Sequence, residues 1–267
     1  MYKAFWGMQF NPFTKEIETR HAFLTVDHEE CKKRMEHLKN VKGIGVFTGL
    51  PGRGKTFAMR SFVDSLNPNL YRTVYLPLTT VPSGAFYRQL AAGLGLEPAY
   101  SKADNFSQVQ ERMRDMCRSQ RITPVLIIDE AQYLDQKVLS DIKILMNFDM
   151  DSQSYAILML TGHPELADRL SMKVNEALEQ RVVINYAFQG LSREETAAYV
   201  RDRMALSGVV RDIFGPGALD GAAGASGGSI RRLNNLLHKA LMIGCEQKAE
   251  IIDTEIIMKA SDEISLL

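Results

Sequence analysis

The stretch Gly43-Ile-Gly-Val-Phe-Thr-Gly-Leu-Pro-Gly-Arg-Gly-Lys-Thr56 decides the fold of this chain of 267 residues. Residues 43–48 form a short apolar run, which is typical of a buried strand. Three glycines follow within six residues, and residues 55–66 then have the spacing of a helix. A strand that passes through a glycine-rich turn into a helix predicts the first unit of an α/β fold.

The turn itself has the pattern G-x-x-x-x-G-K-[ST] between Gly49 and Thr56. Glycines allow successive backbone N–H groups to converge on phosphates, and the following helix begins with its positive dipole end there. Lys55 supplies charge for the β and γ phosphates, and Thr56 offers a hydroxyl to magnesium. The pattern therefore predicts ATP and Mg²⁺ as cofactors, although a purely structural glycine turn is the alternative. The predicted nucleotide contacts are Gly49, Pro51, Gly52, Arg53, Gly54, Lys55, Thr56 and Phe57.

An acidic pair follows a second apolar run, in Val125-Leu-Ile-Ile-Asp129-Glu130. Carboxylates directly after a buried strand stand at the sheet edge where ligands bind in α/β folds. Asp129 is predicted to orient the magnesium shell, and Glu130 to polarise the water that attacks the γ phosphate. Glu130 and Lys55 are therefore candidate catalytic residues, and Thr56 and Asp129 candidate metal ligands. A solvated acidic loop is the alternative interpretation.

The remaining pattern divides the chain near residue 189. Strands at 43–48, 72–78, 124–128 and 155–160 alternate with helices, which predicts a parallel sheet covered on both faces. Only helices follow, at 192–206, 229–244 and 253–265, and Ser192 with Glu195 forms a capping box. We expect an α/β nucleotide-binding core at 1–189, including an N-terminal segment 1–40, and a small helical lid domain at 190–267.

Composition narrows the class of protein further. The formal net charge is zero, which weakens the case for strong nucleic-acid binding by a single subunit. No apolar run approaches the length needed to span a bilayer, and the N-terminus has no signal segment. Cys31, Cys117 and Cys245 are widely separated, which suits a reducing compartment. A cytoplasmic protein is expected.

Several motifs together resemble the ExeA-like AAA+ ATPases, a group that includes secretion ATPases and transposition regulators of the TniB and TnsC kind, functionally akin to MuB. The resemblance extends over nearly the whole chain. It is carried by Met1-Tyr-Lys-Ala-Phe-Trp-Gly-Met-Gln-Phe-Asn-Pro-Phe13, the glycine loop, Asp129-Glu130-Ala-Gln, Asn147-Phe-Asp-Met-Asp-Ser152, Gly162-His-Pro-Glu-Leu166, Gln180-Arg181 and Gly228-Ser-Ile-Arg-Arg-Leu-Asn234. It implies an AAA+ core followed by a helical lid, with ATP hydrolysis as the activity.

The resemblance also implies further site residues. Arg181 matches the family's arginine finger, which reaches the neighbouring subunit's site, although an ordinary surface arginine is the alternative. Arg231, with Arg232 as the close alternative, matches the sensor 2 position of the lid. Thr161 and His163 are both candidates for sensor 1, at the tip of the strand after the acidic pair. Phe13 is either an adenine contact or a core aromatic.

Within this family we expect the transposition branch. Secretion members continue into a membrane segment and a cell-wall-binding region after the ATPase, whereas this sequence has no apolar run long enough for a membrane segment. The resemblance then implies a homo-oligomeric ring or filament on double-stranded DNA without strong sequence preference. A transposase and a target-selection protein are its expected partners, with no membrane involved. Segments after the second strand face the DNA in such proteins, which suggests Thr79, Thr80, Ser101 and Lys102, or else polar solvated loops.

Two other functions remain open from the sequence. A cytoplasmic ATPase that assembles a secretion or membrane complex is the main alternative. A loader resembling origin-binding ATPases is less favoured, because no separate DNA-reading helix-turn-helix follows the lid.

Overall fold

The structure is a computed structural model that describes residues 2–14 and 21–265. Met1 and residues 15–20 of the expected N-terminal segment lie outside the described residues. Contacts between Cα atoms divide the chain into two compact units. We call Glu30–Gly49 with Lys55–Phe188 the sheet unit, and Met1–Glu29, Leu50–Gly54 and Gln189–Leu267 the helical unit.

The sheet unit is built on five parallel strands in the order β2-β3-β4-β1-β5. Val, Ile, Leu and Phe dominate β1, β3 and β4, which are the three central strands and are buried throughout except at Gly43. The strands are β1 (Gly43–Gly49), β2 (Tyr71–Leu76), β3 (Thr123–Ile128), β4 (Ile157–Gly162) and β5 (Val182–Phe188). The sequence did not predict β5, which lies at the sheet edge and is only partly buried.

Helices cover both faces of this sheet. One apolar core packs α4, α5 and α6 against the sheet, and a second includes the buried residues Cys31, Met35 and Leu38 of α2. The helices of the sheet unit, with α2 shared at its start, are α2 (Val26–Val41), α3 (Lys55–Ser65), α4 (Ser83–Gly93), α5 (Lys102–Arg118), α6 (Gln136–Leu145), α7 (Glu165–Leu170) and α8 (Glu176–Glu179). The sheet sandwiched between helices confirms the expected α/β class.

The helical unit has its own core, formed by apolar faces of the C-terminal helices. Its capping box is present, because Ser192 accepts from the Glu195 N–H and Glu195 accepts from the Ser192 N–H. Its helices are α1 (Tyr2–Trp6), α9 (Arg193–Leu206), α10 (Pro216–Ser226), α11 (Ile230–Glu246) and α12 (Thr254–Ser265). None of the helices that the structure describes is long and apolar enough to cross a bilayer.

The N-terminal segment groups with the C-terminal helices and not with the sheet, which differs from the expected division at residue 189. Trp6 is buried, and its indole N–H donates to the Leu241 carbonyl at 2.9 Å. Phe13 is also 5% exposed within this core, as a core aromatic would be. Burial of these aromatic side chains accounts for the placement of the segment, since each removes a large apolar area from water.

Candidate active site

The parallel strands place several candidate residues at one edge of the sheet unit. Leu76 is in register with Ile128, and Ile128 with Leu160, so β2 and β3 end level with each other, two residues before the end of β4. The residues that directly follow these strands therefore meet at the carboxyl edge, where α/β proteins bind ligands. Asp129 follows β3, and Thr161 and Gly162 end β4.

The glycine loop has the backbone that its sequence requires. Gly52 and Gly54 have φ angles of 77° and 92°, in the left-handed region that glycine adopts without strain. On the sheet-unit side, Lys55 is 6% exposed and its Nζ donates to the Gly49 carbonyl at 2.6 Å. Thr56 is exposed in the first turn of α3. A buried ammonium next to a glycine turn is stabilised by an anion, so these residues fit a phosphate.

Within the helical unit, the loop segment Leu50–Gly54 is attached to the start of α11. The Ser229 hydroxyl donates to the Pro51 carbonyl at 3.2 Å, and the Ile230 N–H donates to the Gly52 carbonyl at 2.9 Å. A β carbon at Gly52 would collide with the Ser229 hydroxyl and lie 2.9 Å from the Arg231 Cβ. The chain therefore needs glycine at this position for two reasons, its conformation and its close contact.

The two arginines predicted for sensor 2 stand on this same helix start. Arg231 and Arg232 are both exposed, and Ser229 caps the helix by accepting from the Arg232 N–H. Cations at a helix N-terminus are unfavourable, so their presence suits an anion nearby. Two other predicted nucleotide contacts lie nearby in the sequence. Arg53 is half-buried in the loop, and the Arg60 guanidinium lies over the Phe57 ring, 5.2 Å from the ring centre.

Asp129 is held by three donors and is 8% exposed. Its Oδ1 accepts from the Glu130 N–H and the Thr161 hydroxyl, and its Oδ2 accepts from the Tyr75 hydroxyl at 2.8 Å. A carboxylate offers about four lone-pair positions, so one remains for a water of a magnesium shell. Partial burial of Tyr75, its hydrogen bond to Asp129 and the nearby carboxylate charges raise its pKa to about 12, which keeps the phenol a donor.

Glu130 has a left-handed backbone, with φ 50°, and its side chain is 44% exposed. Its Oε2 accepts from Gln132 Nε2 at 2.7 Å and lies 3.5 Å from His163 Nε2. The Thr79 hydroxyl donates to its carbonyl oxygen at 3.0 Å. A strained backbone that surrounding contacts hold in place is common at functional sites.

The two sensor 1 candidates have different surroundings. Thr161 is fully buried, and its hydroxyl is bound to Asp129. His163 is 27% exposed, and its imidazole faces the Glu130 carboxylate. Of the two candidates, His163 therefore has the more accessible side chain.

Arg181 lies between α8 and β5, half-buried. Its N–H donates to the Leu178 carbonyl at 3.0 Å, which closes the end of α8. The guanidinium therefore extends from the junction between α8 and β5.

The four residues suggested for DNA contact are placed unequally. Thr79 is 3% exposed and its hydroxyl donates to the Glu130 carbonyl, so it presents little surface for a DNA contact. Thr80 is exposed. Ser101 caps α5 through the Asp104 N–H, and Lys102 pairs with Asp141 at 2.5 Å while 39% exposed.

Sequence reasoning missed three residues of these clusters, namely Tyr75, Gln132 and Ser229. The signal for Gln132 was present, because it belongs to the motif Asp129-Glu130-Ala-Gln and lies only two residues after the predicted base. Tyr75 gave no signal of its own, since its contact depends on the pairing of β2 with β3.

Comparison with known proteins supports this reading of the fold. Residues 38–170 match the family described as AAA domain. General secretion pathway protein A of Aeromonas hydrophila is 27% identical over 271 residues, which cover 99% of this chain and 49% of that protein. The chain thus spans about half the length of this curated relative.

Several solved structures share the fold at low sequence identity. Cdc6p from Pyrobaculum aerophilum has a TM-score of 0.73 at 17% identity, covering 94% of this chain and 70% of that one. Aeropyrum pernix ORC1, solved in complex with DNA, has a TM-score of 0.68 at 16% identity, covering 95% and 68%. The Thermotoga maritima RuvB branch migration motor has a TM-score of 0.53 at 20% identity, covering 88% and 68%. The chain therefore has the fold of the AAA+ P-loop NTPases, and its residues 38–170 match the AAA domain family.

Proposed function

We propose that this protein is a cytoplasmic, ATP-dependent, DNA-binding regulator of transposition. The ATP-bound subunits assemble on duplex DNA, select the target and recruit or activate a transposase, and hydrolysis controls disassembly. The observation that carries the ATPase step is the hydrogen-bonded cluster of Asp129, Glu130 and Thr161 at the carboxyl ends of β3 and β4. The DNA-directed part rests on the motif resemblance to transposition regulators.

Each group of the sheet unit has a distinct role in hydrolysis. Lys55 binds the β and γ phosphates, and Thr56 with Asp129 would hold Mg²⁺, which neutralises phosphate charge when bound. Glu130 accepts a hydrogen bond from the attacking water and positions it. Its exposed carboxylate suits this role, because a base must reach a molecule that enters from solvent. His163 serves as sensor 1.

Hydrolysis is completed by a neighbouring subunit in this proposal. Arg181 supplies positive charge in trans to the γ phosphate, so a single subunit hydrolyses ATP slowly. Arg231 or Arg232 contacts the nucleotide from the lid. Nucleotide binding is thereby linked to assembly, because the finger is effective only between adjacent copies.

Binding to DNA is proposed to be weak for each subunit and strong for the assembly. The formal net charge is zero, and Thr80, Ser101 and Lys102 offer few phosphate contacts. Contacts to phosphates carry no sequence information, and repetition along a filament raises the total affinity. Aeropyrum ORC1 was solved with DNA, so this fold is compatible with the proposal.

The test is electron microscopy of the protein with duplex DNA and either a slowly hydrolysed ATP analogue or ADP. We expect rings or filaments on DNA with the analogue and none with ADP. Glu130→Gln should give the same assemblies with ATP itself, because ATP stays bound without being cleaved. Lys55→Ala should give none. DNA-indifferent assembly of all forms would contradict the transposition proposal.

A second candidate function is favoured by the similarity to General secretion pathway protein A over almost the whole chain. In that case the same ATPase would assemble a secretion or membrane complex. It predicts nucleotide-dependent oligomers that form equally with and without DNA. Cross-linking in cells then separates the two, since it should recover a membrane protein in one case and a transposase in the other.

A further inference from the structure

Gln132 lies two residues after Glu130 and has no role in the functions assigned so far. It stands on the single turn Ala131–Tyr133 and is 8% exposed. Its side chain spans the ends of two strands, since it contacts Glu130, the second residue after β3, and His163, the residue after β4. A buried amide that reaches the candidate base is therefore a candidate positioning residue.

The orientation of the Gln132 amide is fixed by a backbone group. Its Oε1 accepts from the His163 N–H at 3.1 Å, and a backbone N–H can only donate. The amide nitrogen must then face the other way, toward Glu130 Oε2 at 2.7 Å. The contact is accordingly a donor–acceptor pair with a carboxylate, which is stronger than one between neutral groups.

Two further features hold the glutamine in place. The Gln132 carbonyl accepts from the Arg169 guanidinium, which also donates to the Leu134 carbonyl at 2.9 Å. A β carbon at Gly162 would collide with Gln132 Oε1. The φ angle of Gly162 is not positive, so its backbone conformation does not require glycine. Glycine is needed there because a larger residue would collide with Gln132.

We propose that Gln132 positions the catalytic carboxylate. Its amide binds Glu130 Oε2, so that Oε1 points toward the attacking water. Among the described residues Oε1 has no hydrogen-bond partner, as this role requires. The inference rests on the proposed role of Glu130 as the water-positioning base. The competing explanation is that Gln132 merely links the ends of β3 and β4.

Loss of this contact should lower the rate of hydrolysis but not the affinity for ATP. A hydrogen bond to a charged group is of a strength that corresponds to roughly a tenfold to hundredfold change in rate. We therefore expect Gln132→Ala to lower kcat by about that factor, with KM within about twofold. Gln132→Glu keeps the size of the side chain but replaces the donor by a like charge, and should lose at least as much.

The experiment measures kcat, KM and ATP affinity for the full chain and its variants, with Tyr133→Ala as the matched control. Tyr133 is on the same turn but is 56% exposed, so its removal should leave kcat within about twofold. Gly162→Ala provides an independent variant, because it displaces Gln132 without changing it chemically. It should reproduce the loss in kcat with ATP affinity retained.

A double-mutant cycle separates positioning from a structural role. In a Glu130→Gln background no carboxylate remains to be positioned, so Gln132→Ala should cause less than about a twofold further loss in single-turnover rate. Parent-like kcat in Gln132→Ala, or an undiminished loss in the Glu130→Gln background, would overturn the inference. Normal hydrolysis by Glu130→Gln alone would instead refute the proposed function of that residue.

Discussion

The polar residues at the ends of β3 and β4 are bound to one another, whereas those at the start of α11 are bound mainly through the backbone. In the first region, the side chains of Asp129, Glu130 and Gln132 each accept or donate a hydrogen bond within the cluster. In the second, backbone atoms of the loop Leu50–Gly54 meet Ser229 and Ile230, and the two arginines remain exposed.

This difference separates two tasks. A cluster organised by protein contacts costs little reorganisation during reaction, which favours catalysis. The exposed guanidinium groups at the start of α11 lose side-chain freedom only when a ligand orders them. They are therefore suited to binding the nucleotide and not to catalysis. Changes in the first region should act on kcat, and changes at Arg231 or Arg232 on KM.

The largest effect is expected at Arg181, which belongs to neither region. Arg181→Ala should lower hydrolysis by assembled protein by roughly 10³-fold or more, because an arginine finger stabilises transition-state charge. The control is Lys173→Ala, which removes an exposed cation eight residues earlier in the chain.

Mixing two inactive variants shows whether Arg181 acts between subunits. Lys55→Ala lacks a nucleotide site but keeps the finger, and Arg181→Ala has the opposite defect. We expect the mixture to regain part of the parent activity. A mixture as inactive as its components would mean that Arg181 acts within its own subunit or has no catalytic role.

A smaller effect is expected for the exposed arginines, and it decides between them. The one that contacts ATP should, as Ala, raise KM about tenfold with kcat within about twofold, which is the size of one charge-assisted hydrogen bond. The other serves as the control and should bind ATP like the parent. Titration with a fluorescent ATP analogue measures both. A loss of kcat without a change in affinity would contradict the division of tasks.

A substitution in the loop Leu50–Gly54 should change the free energy of unfolding. Gly52→Ala places a side chain at φ 77° and against Ser229, and should destabilise the protein by about 1–3 kcal/mol in denaturant unfolding. Gly224→Ala is the matched control, because Gly224 lies in α10 with no heavy atom within 4 Å of its added β carbon. It should stabilise by about 0.5–1 kcal/mol. Equal effects in both would contradict the close packing of the loop.

Much of the sheet unit could be predicted because its signals are local. The apolar runs at β1 and β3 are continuous, and the glycine loop and the acidic pair directly follow them. α2 was missed because charged residues dominate it, and its buried apolar residues are Cys31, Met35 and Leu38, next to the buried polar residues Asp27 and His28. The edge strand β5 was missed for a similar reason, since its burial alternates along the strand.

The helical unit depends on contacts between residues far apart in the sequence, which a local sequence pattern does not reveal. The N-terminal segment packs there through Trp6 and the Leu241 carbonyl, which are 235 positions apart in sequence. The contact between Gly52 and Ser229 likewise joins distant parts of the chain. The sequence shows that a polar residue, Gln132, follows the acidic pair. Its proposed positioning role, however, depends on the pairing of β3 with β4, which places His163 beside it.

The smallest expected effect is a dependence of stability on pH at α11. His238 is half-buried, with its ring 5.4 Å from that of Tyr2, and burial together with the charge of Lys239 lowers its pKa below 6.5. The unfolded chain therefore takes up this proton first, so stability that is fully present above pH 6.5 is lost as pH falls from that value through the lower pKa of the folded state. We expect urea unfolding of the parent to show a larger drop between pH 7.5 and 5.5 than that of His238→Gln. An identical drop in both proteins would show that His238 makes no contribution to this pH dependence.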